Sequence, residues 1–161
     1  MKVSPRLLVS ITLSWNAFRT PNTMSTTTIA AAFSTAANPA TTIRVKGSGV
    51  ESVNTDFEWT AATKIPPGFE RVCRENSWGV ESTWDMLNKN KPWLRASNEA
   101  YIYLNNADGQ WWIDKPDGAG VFVAPKIRGE DTPPASGWRA LSPLYNPAPS
   151  VEIVSDCQQN R

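Results

Sequence analysis

The run Tyr101-Ile102-Tyr103-Leu104-Asn105-Asn106-Ala107-Asp108-Gly109-Gln110-Trp111-Trp112-Ile113 reads as a β-hairpin. Both arms are aromatic and β-branched, and Asp-Gly supplies the positive φ that a tight turn needs. Working outward, Lys115-Pro116-Asp117-Gly118 is a second turn signal, after which Val121-Phe122-Val123-Ala124 continues the meander. A polar loop, Gly129 to Pro134, follows. Trp138-Arg139-Ala140-Leu141 and Val151-Glu152-Ile153-Val154 are the last strand signals, separated by Pro147-Ala148-Pro149. Upstream, Ile43-Arg44-Val45-Lys46 alternates and stops at Gly47-Ser48-Gly49. Phe57-Glu58-Trp59-Thr60 and Phe69-Glu70-Arg71-Val72-Cys73 alternate on either side of the breaker Ile65-Pro66-Pro67-Gly68. Period-2 runs bounded by Gly, Pro and Asn predict short strands, and the 13 prolines, mostly between runs, predict stiff connections. A helical turn fits only Glu81 to Asn88, where Trp84 and Leu87 stand three apart. The expected fold is mostly β: one small antiparallel β-sandwich or open-barrel meander over residues 43–155. About 110 ordered residues can bury a core without a covalent staple.

Charge separates this domain from what precedes it. The 161-residue chain has 16 Lys and Arg against 15 Asp and Glu, a net charge of +1, yet its first acid is Glu51. Residues 1–42 carry Lys2, Arg6 and Arg19, which leaves 13 bases against 15 acids, a balance of −2, for the rest. The leading segment is rich in Ser and Thr and has a short apolar core, Leu7 to Leu13, behind Lys2 and Arg6. That layout fits a secretory or organelle-targeting leader, plastid or mitochondrial; the alternative is a disordered tail on a cytoplasmic protein, with Met24 rather than Met1 as the start. Residues 156–161 read as a polar tail.

Composition excludes several chemistries. With no histidine, there is no Ser-His-Asp or Cys-His nucleophile pair, no His-ligated metal and no imidazole pH switch. Cys73 and Cys157 cannot close a four-cysteine zinc site; they could pair in an oxidising compartment, but nothing compels it. Setting Asp108-Gly109 or Asp117-Gly118 into a calcium loop puts Leu104 or Ile113 at its first ligand position, so both registers fail. No cofactor or metal is expected. No apolar run reaches the roughly 18 residues of a membrane span. Lys89, Lys91 and Arg95 interleave with Trp93, the nearest approach to a single-strand-stacking patch. Three charges in a segment of balance −2 make a weak funnel, so a nucleic-acid partner is not expected.

The succession Gly47-Ser48-Gly49-Val50-Glu51-Ser52-Val53-Asn54, Trp84, Trp93, Tyr101-Ile102-Tyr103, Asp108-Gly109-Gln110-Trp111-Trp112-Ile113 and Pro133-Pro134-Ala135-Ser136-Gly137-Trp138 resembles a Trp-rich β-module. That module recurs in proteins of algae and other protists, often in tandem or joined to other domains. The resemblance covers about Ile43 to Val154 and implies a module, not a chemistry. Where the module usually has Gly and Tyr, this chain has Thr55 and Phe57.

Eight tryptophans, seven of them beyond residue 58, dominate the functional reading. Alternation puts Tyr101, Tyr103 and Trp112 on hairpin faces away from their neighbours Ile102, Leu104 and Trp111. One reading is a non-catalytic, carbohydrate-binding module. Its ligand-binding residues are Trp93, Tyr101, Tyr103 and Trp112 as an aromatic platform, with Asn105, Asp108 and Gln110 as polar anchors. The alternative is a protein-interaction module whose tryptophans are mostly core and whose partner docks on loops such as Gly129 to Gly137. Each buried indole removes ~200 Å² from water, about 5 kcal/mol, so most are expected inside, with Trp93 and Trp112 as the surface candidates. A third reading is a small carboxylate-dependent hydrolase using Asp108, Asp114 or Asp117, which requires two carboxyls about 5–9.5 Å apart.

Overall fold

The computed structural model describes residues 41–155. Residues 1–40 of the leader, the choice of start and Cys157 lie outside the described residues; Thr41 and Thr42, assigned to the leader from the sequence, belong to the first strand. Eight strands alternate with two helices: β1 (Thr41–Lys46), β2 (Asp56–Thr60), α1 (Pro67–Glu75), α2 (Val80–Asn88), β3 (Trp93–Ala96), β4 (Tyr101–Asn105), β5 (Gln110–Asp114), β6 (Gly120–Pro125), β7 (Arg139–Ala140) and β8 (Ser150–Ser155). They form one antiparallel sheet in the order β7-β6-β5-β4-β3-β2-β1-β8. The fold is mostly antiparallel β, and the sheet is curled into a half-barrel rather than split into two layers.

The curl follows from where the apolar side chains go. Val45, Phe57, Leu94, Ile102, Trp111, Phe122 and Val151 come from seven strands and share one core, against which Ala140 of β7 also packs. One face of every strand is therefore apolar, and bending the sheet about that face removes it from water. The two ends of the sheet are tied across the gap. The Val151 N–H of β8 donates to the Ala135 carbonyl, in the loop that leads into β7, at 3.0 Å. Trp138 fixes that loop by donating its Nε1–H to the Pro134 carbonyl at 2.9 Å. At the same end, Asn54 clasps the backbone of Ser48, accepting from its N–H at 2.9 Å and donating to its carbonyl at 3.0 Å.

The opposite face is divided. Beneath β1, β2 and β8 it is charged, with Arg44–Asp56 and Lys46–Glu152 pairs at 2.7 Å. Such exposed pairs add little to stability. Beneath β3, β4 and β5 it is aromatic, and α1 and α2 cover it.

Two sequence expectations are corrected here. Phe69 to Cys73 is not a strand but lies in α1. The same residues also satisfy helical spacing, since Phe69 and Cys73, four apart, are both buried. Pro67 stands in the first turn, where a missing N–H costs nothing, and Glu70 pairs with Arg74 one turn on. Trp93 to Ala96, to which the sequence assigned no strand, is strand β3, between β2 and β4. The turn over Glu81 to Asn88 is a full helix, α2.

α1 is seated by a backbone-to-backbone contact. A Cβ on Gly68 would stand 2.6 Å from the Pro116 carbonyl and 2.7 Å from the Gly118 nitrogen; one on Gly118 would meet the Gly68 carbonyl and, at 2.7 Å, Val72. The Pro-Pro-Gly breaker and the Pro-Asp-Gly turn are thus two halves of one joint. Gly68→Ala is expected to lower stability by about 1–3 kcal/mol through overpacking, measured by urea unfolding. Gly109→Ala, whose Cβ would meet nothing, carries only the strain of its φ of +70°, about 1 kcal/mol.

Candidate functional site

The hairpin β4–β5 pairs Tyr101 with Asp114, Tyr103 with Trp112 and Asn105 with Gln110. Tyr101 and Tyr103 lie under the helices, where Trp84 of α2 is the hub. Its ring centroid is 4.9 Å from Phe69, 5.3 Å from Tyr103 and 6.1 Å from Trp93, mostly edge-on. Each such contact contributes about 0.5–1.5 kcal/mol beyond area burial.

The aromatic platform is therefore not a surface. Trp93 is 1% exposed and donates its Nε1–H to the Lys64 carbonyl at 2.8 Å. Tyr101 and Tyr103 are buried as well. The physical reason is α1: once Phe69 to Cys73 is helical, this face of the hairpin has a roof. Asn105 is buried too, its side-chain oxygen accepting from Ala107 N–H at 2.9 Å in the hairpin turn. The turn itself is pinned to α2, since Asn106 N–H donates to the Leu87 carbonyl at 2.7 Å.

Three of the seven candidate residues stay together near solvent. Trp112 is half-buried, and its Nε1–H donates to Asp108 Oδ2 at 2.9 Å. The other Asp108 oxygen accepts from Gln110 N–H at 2.9 Å, and the Gln110 amide lies 3.4 Å from Oδ2. The six-membered ring of Trp112 lies over Gly120, where a Cβ would come within 2.9 Å of it. Trp112 is thus a partly open indole, but its polar edge is already satisfied within the chain.

Two of the three carboxylates proposed for hydrolysis are held locally. Asp108 is committed as described, and Asp117 pairs with Lys115 at 2.9 Å while accepting from Ala119 N–H. Those contacts hold the Asp117 carboxyl below its usual range, although partial burial opposes them. Asp114 is different. It is 4% exposed, its Oδ1 has no partner, and burial pushes its carboxyl up to about 7. The neighbouring Tyr101 hydroxyl favours the charged form, but its geometry falls short of a hydrogen bond to Oδ1, so the hydroxyl is unpartnered as well. Sequence reasoning placed Asp114 beside the hairpin without foreseeing its burial, because the α1 roof was not anticipated.

Among the described residues no three His, Cys, Asp or Glu side chains gather as a metal site. Cys73 is a buried thiol whose pKa is raised by burial. The basic patch has no stacking ring, since Trp93 is inside and Arg95 pairs with Glu99 at 2.9 Å. Among the described residues, the exposed indole that the sequence did not single out is Trp78, 49% exposed. It follows Ser77, whose φ of 58° turns the chain out of α1.

These assignments separate by stability. Trp93→Ala should cost about 3–5 kcal/mol in urea unfolding, whereas Trp78→Ala should stay within about 0.5 kcal/mol. Comparison of the chain with family models, with curated proteins and with solved structures gives no match.

Proposed function

We propose that this domain is a non-catalytic protein-binding module whose contact surface is the outer side of its helical layer, around Trp78 and Met86. The observation that carries the reading is the distribution of the indoles. Trp84, Trp93, Trp111 and Trp138 are core, while Trp78 is exposed just ahead of α2 and Met86 is 45% exposed on it. Ser82 and Met86, four apart on α2, are both exposed on one side of the helix, and Trp78 stands exposed two residues ahead of its first turn. Trp and Met are the side chains that protein interfaces enrich and on which binding energy concentrates. The partner surface lies on the helices rather than on the Gly129 to Gly137 loop, where Pro133 and Pro134 are buried. The resemblance to a Trp-rich module often found joined to other domains also fits a domain that works by contact.

A carbohydrate reading keeps one specific support, the half-open Trp112 with Asp108 and Gln110 beside it. The two readings part in a single comparison. Peptides selected from a displayed random library on the full chain should bind Trp78→Ala or Met86→Ala roughly thirtyfold more weakly, ~2 kcal/mol, and Trp112→Ala unchanged. Selected peptides indifferent to both helical substitutions would overturn the protein-binding surface. A saturable glycan-array hit abolished by Trp112→Ala would move the function to sugar.

A further inference from the structure

We infer that Asp114 is a pH-sensitive latch on the helical layer: while its carboxyl is protonated α1 stays seated on the sheet, and its ionisation loosens α1 together with the Lys115–Gly118 turn. The geometry is that of a carboxyl with one oxygen shut away from both water and any hydrogen-bond partner. Asp114 ends β5 at a register shift between Ile113 and Asp114, and it stands opposite Tyr101 on one side and Gly120 on the other. It is almost wholly buried and its Oδ1 is unpartnered, a combination that a carboxylate tolerates poorly and a neutral carboxyl far better.

The groups facing Asp114 offer no counter-charge. From β4 come Tyr101 and Tyr103, whose hydroxyls burial keeps neutral, and from α1 comes the Cys73 thiol, also raised by burial. α2 brings only the uncharged Trp84 to the aromatic cluster that holds Tyr101 and Tyr103, and β6 presents Gly120. In the following turn Lys115 is engaged by Asp117, which is itself anionic and adds repulsion. The way out lies next door: Asp114 runs directly into Lys115–Gly118, whose backbone is wedged against Gly68 at the head of α1. Hydrating an ionised Asp114 therefore requires that joint to part.

The sign follows from linkage. The folded carboxyl titrates near 7 and the unfolded one near 3.8, so the closed form holds more protons between those values. Its advantage is full below the lower value and falls as pH rises through the upper one. The test is amide hydrogen exchange on the full chain, corrected for the intrinsic pH dependence of exchange. Protection of the α1 amides should fall roughly tenfold between about pH 6 and about pH 8, while β1 and β8 amides hold. Asp114→Asn should abolish the step, and Tyr101→Phe, which removes the hydroxyl that favours the charged form, should move its midpoint to higher pH. An α1 protection independent of pH, a step that survives in Asp114→Asn, or a loss shared equally by β1 and β8 would overturn the latch. Should Asp114→Asn fail to fold, the unsubstituted chain decides: α1 protection that falls with pH while β1 and β8 hold supports the latch, and α1 protection that does not fall overturns it.

Discussion

β4 has no polar side. Ile102 and Leu104 enter one core and Tyr101 and Tyr103 the other, and all four are buried. An antiparallel sheet can normally leave one face to water, but a strand apolar on both faces in the middle of the sheet forbids it. Two separate solutions follow. The sheet curls about the aliphatic face, which its own strands can fill, while the aromatic face needs an external cover. α1 and α2, inserted between β2 and β3, are that cover, and Trp84 of α2 is the side chain that couples the helices to the strands beneath.

How far the fold is legible in the sequence depends on the same strand. The hairpin, the later strands and β1 and β2 announce themselves, because alternation and Asp-Gly or Pro-Gly punctuation act locally. The helical layer does so only in part. Phe69-Glu70-Arg71-Val72-Cys73 satisfies period 2 and period 3.6 together, and the deciding fact is nonlocal: Gly68 must meet Gly118, fifty residues on. β3 fails for another reason. Trp93 and Leu94 are both buried, on opposite faces, so this short strand shows no alternation to read.

The candidate site was less legible than the fold, and for a connected reason. Once α1 is misread as a strand, nothing covers Tyr101, Tyr103 and Trp93, and an aromatic platform looks open. Recognising the helix converts the same residues into core. Trp112, Asp108 and Gln110 keep some exposure, but their polar atoms largely answer one another. The motifs that carry the resemblance divide in the same way. Asn54 clasps Ser48, Trp138 holds the Pro134 loop, and Asp108 holds Trp112. Each is explained by a bond that builds the fold.

That explanation changes what counts as a functional signal in this chain. Tryptophan content alone carries no information about a ligand, because the architecture itself consumes most of the indoles. What is informative is a departure from the architecture's needs: Trp78, which the core does not use, and Asp114, which the core contains although a charge there has no partner. The first lies on the outer side of the helical layer and the second beneath its inner side, next to the joint that seats α1. α1 and α2 pack on each other and share the aromatic cluster. A loosening of α1 at the Asp114 joint is therefore transmitted to the segment that carries Trp78, since Trp78 N–H is bonded to the Cys73 carbonyl at the end of α1 at 2.9 Å. Binding surface and buried acid are in this way two sides of one layer, and a partner that needs Trp78 fixed in place would bind more tightly on the acid side of the Asp114 transition.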